Sequence, residues 1–351
     1  VTMASAASMW GTGFYAGNYP NRSLKWEETN SYNIGLDLAL FDNRVELIAD
    51  AYYKKTDNLL MQASLPTYVS GLIGAPWVNA GAMTNKGVEF TLNTRNILTH
   101  DFTWTSGLTF SINRNEVTKL YSESSAISGI NGNETLTYTM VGEPVGQFYG
   151  YKVIGMFKEE SDFYKKDADG NFQLDEAGNR IRIAIPKGQQ ISKNGIWVGD
   201  YIYEDLHEDG VIDEKDRTFL GNPAPKFTFG FNNYFAYKGF DLNIFLNGSV
   251  GNKAVNLIRR TFTDPMRNSN LLKEATDIAL IGMHDPEVGD EELSNVYIVN
   301  ADRAKVQRVT TSSANDNNRI SSRFIEDASY LRIKNISLGY TCLLYTSDAA
   351  D

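Results

Sequence analysis

The chain has 351 residues, of which 42% are hydrophobic and 22% charged, and its formal net charge is -10. This acidic balance argues against a nucleic-acid partner, and three scattered histidines argue against a histidine-based catalytic centre. No apolar run is long enough for a transmembrane helix, and no secretory signal opens the chain at Val1. We therefore expect Val1 to lie inside a longer reading frame.

The first predicted elements are two runs in which every second residue is apolar, joined by a tight polar turn at residues 42–44. The apolar positions are Ile34, Leu36, Leu38 and Leu40 in the first run and Val45, Leu47, Ala49, Ala51 and Tyr53 in the second. A period of two places successive side chains on opposite faces. The pattern predicts a β-hairpin with one apolar and one polar face.

The same alternation returns along the chain. It covers Val88, Phe90 and Leu92; then Trp104, Leu108, Phe110 and Ile112; then Phe227, Phe229 and Phe231; and finally Phe240, Leu242, Ile244 and Leu246. Most of these apolar residues are separated from the next by small or polar residues, as strands require and helices do not. We predict an all-β, antiparallel architecture.

Three features distinguish a membrane barrel from a soluble sandwich, whose strands also alternate apolar and polar residues. The runs reach the length of a tilted transmembrane strand, and aromatic residues crowd their ends. Short turns also alternate with long excursions at residues 56–85, 115–226 and 251–327. We predict a partial antiparallel transmembrane β-barrel with long extracellular loops. A soluble glycan-binding β-sandwich stays open as an alternative.

The excursion at residues 115–226 is long and keeps strand-like pieces at 146–156 and 196–204. Strand parity places the strand ending near Arg114 and the strand starting near Phe227 at the same, outer side, so the two pieces must pair with each other. A long loop with its own strands is more often functional than disordered. We expect it to face partners and substrate.

One segment of this excursion, residues 205–216, has the spacing of a calcium loop. Oxygen donors occupy its first, fifth, ninth and twelfth positions and glycine its sixth, so that the candidate ligands are Asp205, Asp209, the Val211 carbonyl, Asp213 and Asp216. His207 stands where an oxygen donor belongs, and Asp216 is shorter than the usual glutamate. The alternative is a turn whose carboxylates cap backbone N–H groups. No other cofactor is required.

Aromatic and amide residues in the loops are candidates for binding sugar rings, because flat rings stack on C–H faces and amides take hydroxyls. The candidates are Tyr68, Trp77, Asn79, Tyr138 and Trp197. Packing between loops is the alternative for each of them. No catalytic arrangement is evident, although an outer-membrane barrel enzyme stays conceivable because its site would be dispersed in sequence.

Several motifs resemble the barrel of SusC-like TonB-dependent outer-membrane receptors of Bacteroidota. They are Y-Y-K-K-T-D-N-L-L at 52–60, N-K-G-V-E at 85–89, G-Q-F-Y-G-Y at 146–151, G-N-P-A-P-K-F-T-F-G at 221–230 and Y-L-R-I-K-N-I-S-L-G-Y at 330–340. They follow the family's order over nearly the whole chain. The family's plug domain and energy-coupling segment have no match here.

The resemblance implies an outer-membrane nutrient importer and no enzyme. Its expected partners are a SusD-like lipoprotein, TonB-ExbB-ExbD acting through a missing N-terminal part, outer-membrane lipid, and an oligosaccharide or, less often, peptide substrate. We assign residues 1–341 to the barrel, with 115–226 as the large extracellular excursion. Residues 342–351, which contain the single cysteine, resemble a translated sequencing adapter.

Overall fold

The computed structural model describes residues 3–8, 11–16, 21–62, 76–121, 127–131 and 134–341. Tyr68 and the tail at 342–351 lie outside these residues. The strands are β1 (Met3–Ser8), β2 (Gly11–Ala16), β3 (Glu28–Leu40), β4 (Val45–Gln62), β5 (Trp77–Leu98), β6 (Phe102–Lys119), β7 (Ile127–Asn131), β8 (Glu134–Thr139), β9 (Gln147–Tyr151), β10 (Val153–Met156), β11 (Ile185–Pro186), β12 (Tyr201–Tyr203), β13 (Val211–Ile212), β14 (Arg217–Gly221), β15 (Phe227–Tyr237), β16 (Phe240–Val250), β17 (Lys253–Val255), β18 (Ile281–Met283), β19 (Val296–Ile298), β20 (Ile325–Asp327) and β21 (Tyr330–Tyr340).

Helical structure is short wherever the chain is described. The single α-helix there is α1 (Leu257–Phe262), and the 3-10 helices are Glu160–Phe163, Glu214–Asp216, Lys273–Asp277, Leu293–Asn295 and Ser322–Phe324. None of these helices has the length and apolar character needed to cross a membrane.

Seven long strands form one antiparallel sheet, which we call the wall, in the order β21-β16-β15-β6-β5-β4-β3. Its strands are 11 to 22 residues long, whereas a tilted strand needs only about 9–11 residues to cross a bilayer. β6 pairs directly with β15. This pairing confirms that the strand ending near Arg114 and the strand starting near Phe227 meet at one side.

The register keeps the alternation in phase across the wall. One row of paired residues reads Leu36, Ala49, Phe90, Phe110, Phe229, and the next reads Leu38, Leu47, Leu92, Leu108, Phe231, Leu246. Leu36 is 52% exposed, and these residues lie outside both buried clusters of the described chain. The apolar face therefore has no second sheet packed on it among the described residues, contrary to the sandwich alternative.

The turns at one end of the wall are as short as predicted. Phe41, Asp42 and Asn43 adopt positive φ between β3 and β4, and Lys238 and Gly239 do so between β15 and β16. At the other end, the predicted excursion at 56–85 is shorter than expected, because β4 continues to Gln62 and β5 begins at Trp77. Register shifts between Thr56 and Leu60 interrupt the alternation there, which hid the extended pairing from the sequence.

The two longest connections pack together into a second body, the loop cap, which comprises residues 134–221 and 251–327. The Ile298 N–H donates to the Lys158 carbonyl at 2.8 Å across the two connections. The predicted pairing of the two strand-like pieces is present between β10 and β12, where Val153 pairs with Tyr203 and Met156 with Tyr201. β9, in contrast, pairs with β8 and β14.

Candidate functional site

The loop cap has its own hydrophobic core, and this core holds the two connections in place. The rings of Phe157 and Phe163 stack with centroids 4.1 Å apart, and both side chains are buried. Ile196 and Val198 from the first connection meet Val296 from the second in the same cluster. The core therefore makes one rigid unit from segments about a hundred residues apart in sequence.

A charged pair lies at the centre of this unit. Arg308 donates to Asp200 through Nε at 3.0 Å and Nη2 at 3.2 Å, and the two side chains are 5% and 1% exposed. Asn317 Nδ2 donates to the same Asp200 Oδ1 at 2.8 Å. The remaining Arg308 donors reach the Lys193 and Gly195 carbonyls at 2.9 Å. Because every charge is paired and hydrogen-bonded, the pair joins the two connections instead of offering a free charge to a ligand.

Tyrosines and arginines alternate beside this pair. The Arg319 guanidinium lies 4.7 Å from the ring centroids of both Tyr151 and Tyr203, and Arg323 lies 4.8 Å from that of Tyr201. Burial raises the pKa of Tyr201 to about 12, so its hydroxyl stays protonated and donates to the Lys305 carbonyl at 2.8 Å. These stacks hold the second connection against β12.

A polar depression of about 180 Å³, the cap notch, opens next to these residues. Its lining includes Asp264, Met266, Gln307, Thr310, Ser312, Ser313, Asp316, Asn317 and Asn318. Burial raises the pKa of Asp316, although nearby Arg319 opposes this effect. Asn318 Oδ1 is buried and accepts no hydrogen bond from the described residues. The notch itself presents hydroxyl side chains, such as Thr310 and Ser313, that can hydrogen-bond to a polar solute.

The polar face of the wall carries a second depression, the wall groove, of about 380 Å³. Asn93, Thr105 and Asn232 line it together with the Phe245 ring, and Arg95 faces Glu46 at 3.9 Å. Neither the groove nor the cap notch has a histidine or cysteine among its described lining residues. Both surfaces can make hydrogen bonds to a polar solute.

Of the four predicted sugar-binding residues that the structure describes, Trp77 and Asn79 share β5, whereas Tyr138 and Trp197 lie in the loop cap. Trp197 is 2% exposed in the core of the loop cap, which favours the packing role, although it also lines a depression of about 560 Å³ on the cap. A sugar-binding role for Trp197 stays a prediction. Asn79 Nδ2 donates to the Lys25 and Asn58 carbonyls at 2.8 and 2.7 Å, which also ties its side chain to loop backbone.

The other candidates differ in position. Trp77 is 48% exposed at the start of β5. The Tyr138 ring on β8 stacks on Tyr149 with centroids 4.6 Å apart. A sugar-binding role for these two residues stays a prediction.

The carboxylates of the segment at 205–216 are engaged with backbone. Asp216, 1% exposed, accepts from Leu206 N at 2.9 Å and from Asp213 N at 2.8 Å. Asp213 in turn accepts from Lys215 N and completes a capping box, while Asp205 accepts from Gly210 N and Asp209 from Val211 N. Among the described side chains, no group of three or more His, Cys, Asp or Glu residues is placed to hold a metal ion. This geometry fits the turn alternative better, and calcium at this segment stays a prediction.

Comparison with known proteins assigns the class. A family model described as TonB dependent receptor-like, beta-barrel, matches residues 2–341. The chain is 33% identical over 327 residues to TonB-dependent receptor P3 of Formosa agariphila, covering 92% of this chain and 28% of that protein. It is 25% identical over 336 residues to TonB-dependent receptor SusC of Bacteroides thetaiotaomicron, covering 95% of this chain and 28% of that protein.

The fold agrees with a solved structure of the RagAB peptide transporter, with a TM-score of 0.70, 21% identity, and coverage of 99% of this chain and 33% of that one. The chain belongs to the TonB-dependent receptor β-barrel family, as its motifs indicated. Its wall is therefore part of a barrel in the bacterial outer membrane, with the apolar face toward lipid and the polar face toward the lumen. The chain spans 28% of the length of each of the two curated relatives named above.

Proposed function

We propose that the protein containing this chain imports nutrient oligosaccharides across the outer membrane in a TonB-dependent manner. The observation that carries this proposal is the match to TonB-dependent receptors, including SusC, over more than nine-tenths of the chain. In this proposal TonB-ExbB-ExbD acts through parts of the protein outside this chain, and no covalent chemistry takes place.

The described residues would contribute the lumen wall and part of the outer binding surface. The wall groove offers amide and hydroxyl side chains such as Asn93 and Thr105 to a passing solute. The loop cap offers the cap notch, with hydroxyl side chains such as Thr310 and Ser313, above the wall. Sugars carry many hydroxyl groups, which can both donate to and accept from such side chains.

We further propose that a SusD-like lipoprotein binds above the loop cap as a lid. The rigid core of the loop cap supports this idea, because a preformed surface loses little conformational entropy when a partner docks. Peptide import is the second candidate, and the structural likeness to the RagAB peptide transporter favours it. The N–H and C=O groups of a peptide would suit the same side chains.

Growth tests separate these candidates. A host strain that lacks the gene is grown on single glycans or on peptides, with and without the full-length receptor restored from a plasmid. The proposal predicts that restoration rescues growth on at least one oligosaccharide and not on peptides. Rescue on peptides alone supports the second candidate, and cleavage of the glycan by the purified receptor contradicts both.

A further inference from the structure

A hydrogen-bonded polar network interrupts the lipid-facing side of the wall. It consists of Thr94, Asn96, Trp104, Ser106 and Asn233, and we call it the outer-face network. In the register, Thr94 pairs with Ser106 and Ser106 with Asn233, in a row that continues to Leu40 and Val45 on one side and Ile244 and Ile336 on the other. This row lies two residues from Leu92, Leu108 and Phe231, so it shares their face.

A β-bulge adds one member to the network. The pairing of β5 with β6 shifts between Arg95 and Ile97, which leaves Asn96 as the extra residue. Asn96 Nδ2 donates to Ser106 Oγ at 2.7 Å and its Oδ1 accepts from Thr94 Oγ1 at 2.9 Å. Bulges redirect side chains in this way and are often functional.

The hydrogen bonds of the network run in one direction and end on one amide. Ser106 Oγ donates to Asn233 Oδ1 at 2.8 Å, and the Trp104 indole N–H donates to the same oxygen at 3.1 Å. These two donors fix which end of the amide is oxygen. Asn233 Nδ2 then carries two N–H donors, and no described residue accepts from them. Asn233 is half-buried, so these donors are not sealed inside the protein.

An N–H donor on the lipid side of a barrel is costly unless something accepts its hydrogen bond, because hydrocarbon has no acceptor. The position of the network supplies a candidate. On the side of the short turns, Trp104 of the network stacks on Phe235 at 5.7 Å, and Phe102 lies beside Tyr237 at 6.5 Å. Such aromatic belts mark the membrane interface. The acyl ester carbonyls of phospholipids are acceptors at this boundary, on the hydrocarbon side of the phosphates.

We propose that Asn233 Nδ2 binds the acyl ester carbonyl of a glycerophospholipid, and that the outer-face network is a specific lipid-binding site. Thr94, Asn96 and Ser106 act as positioning residues, because they hold the Asn233 amide with its N–H groups toward the lipid. Arg44, at the turn between β3 and β4, donates to the Asn96 carbonyl at 3.0 Å and brings a cation to the same end of the wall, where phosphates lie.

Native mass spectrometry of the full-length receptor tests this site with phosphatidylethanolamine as the probe. After matched detergent exchange, we expect Asn233→Ala to retain the lipid about fivefold less than the wild type, as the loss of one hydrogen bond implies. Asn232→Ala is the matched control, because Asn232 is the neighbouring residue on the lumen face and lines the wall groove. Its lipid retention should equal that of the wild type.

A second measurement needs no variant. The wild-type receptor is loaded with phosphatidylethanolamine whose chains are joined by ester or by ether linkages, so that only the carbonyl differs. We expect the ester lipid to be retained about fivefold more. Equal retention of the two lipids, or equal retention by Asn233→Ala and the wild type, would overturn the proposal and leave water as the acceptor.

Discussion

The wall and the loop cap are built for two different surroundings. In the wall, apolar side chains such as Leu36 and Leu38 stay exposed on one face, and backbone pairing holds the strands together. In the loop cap, Phe163 and Phe324 have no exposed surface, and a buried ion pair lies near the core. The wall therefore depends on lipid to cover its apolar face, whereas the loop cap buries its apolar residues in its own core.

The largest expected effect is in the loop cap. Arg308→Ala should destabilise it by about 3–5 kcal/mol, because Asp200 would then be a buried charge without its partner. Hydrogen exchange of the full-length receptor should show faster exchange at residues 196–203 and 305–317. Lys152→Ala is the control, since its ion pair with Glu204 is only about half-buried and contributes about 0–1 kcal/mol. Equal exchange in the two variants would show that the buried pair does not hold the loop cap together.

A charge on the apolar face should affect the wall next most strongly. Leu108→Arg should cost about 2–4 kcal/mol, because an arginine near the middle of the membrane-facing surface loses its hydration. Thr109→Arg places the same side chain one residue away on the polar face, where water covers it. Urea unfolding of the full-length receptor in liposomes compares the two. A larger loss for the Thr109 variant would reverse the assignment of the faces.

Asn79 should behave as a structural residue. Asn79→Ala removes hydrogen bonds to Lys25 and Asn58, and should cost about 1 kcal/mol, because water can replace the exposed bonds to Lys25. Limited proteolysis should then cut more rapidly near residues 21–27. Trp77→Ala, at an exposed position nearby, should leave the cleavage rate unchanged. Faster cleavage of Trp77→Ala than of Asn79→Ala would contradict the structural role and favour sugar binding by Asn79.

The smallest expected effect is a pH dependence where the loop cap joins the wall. Hydrogen bonds from Ser329, followed by Lys253, lower the pKa of Asp327 from 3.8 to about 2. A lowered pKa means that this carboxylate stabilises the folded state above pH 3.8, and that the contribution is lost as the pH falls toward 2.

Pepsin cleavage within residues 251–256 measures this, because β17 pairs with β20 through Lys253 and Asp327. The wild type should become more sensitive between pH 4 and 2. Asp327→Asn should show no such change, after correction for the pH dependence of pepsin on an unfolded substrate. An equal change in both proteins would remove Asp327 as the cause.

The wall could be predicted from the sequence because every membrane strand follows one physical rule, the alternation of apolar and polar residues with a period of two. The short turns and the pairing of β6 with β15 followed from the same rule. The rule did not predict the pairing of β4 with β5 beyond Thr56, because bulges break the period there and Asn58 adopts positive φ.

The loop cap could not be predicted in the same way. Its strands are two to six residues long, too short to show a period. Asp200 and Arg308 are 108 residues apart, and no local sequence pattern predicts that they pair. Trp197 was a candidate for sugar binding because an aromatic residue in a loop gives the same sequence signal whether it faces solvent or a core. The outer-face network was equally hidden, since it needs the register of three strands.

The apolar rows of the wall face lipid, and the polar rows face the lumen. Spin labels placed one at a time from Phe102 to Ile112 on β6, in the full-length receptor reconstituted in liposomes, test it directly through their accessibility to oxygen and to a water-soluble nickel chelate. We predict that even-numbered positions such as Leu108 and Phe110 favour oxygen and odd-numbered positions such as Thr109 favour the chelate. An absent or inverted alternation would contradict the account.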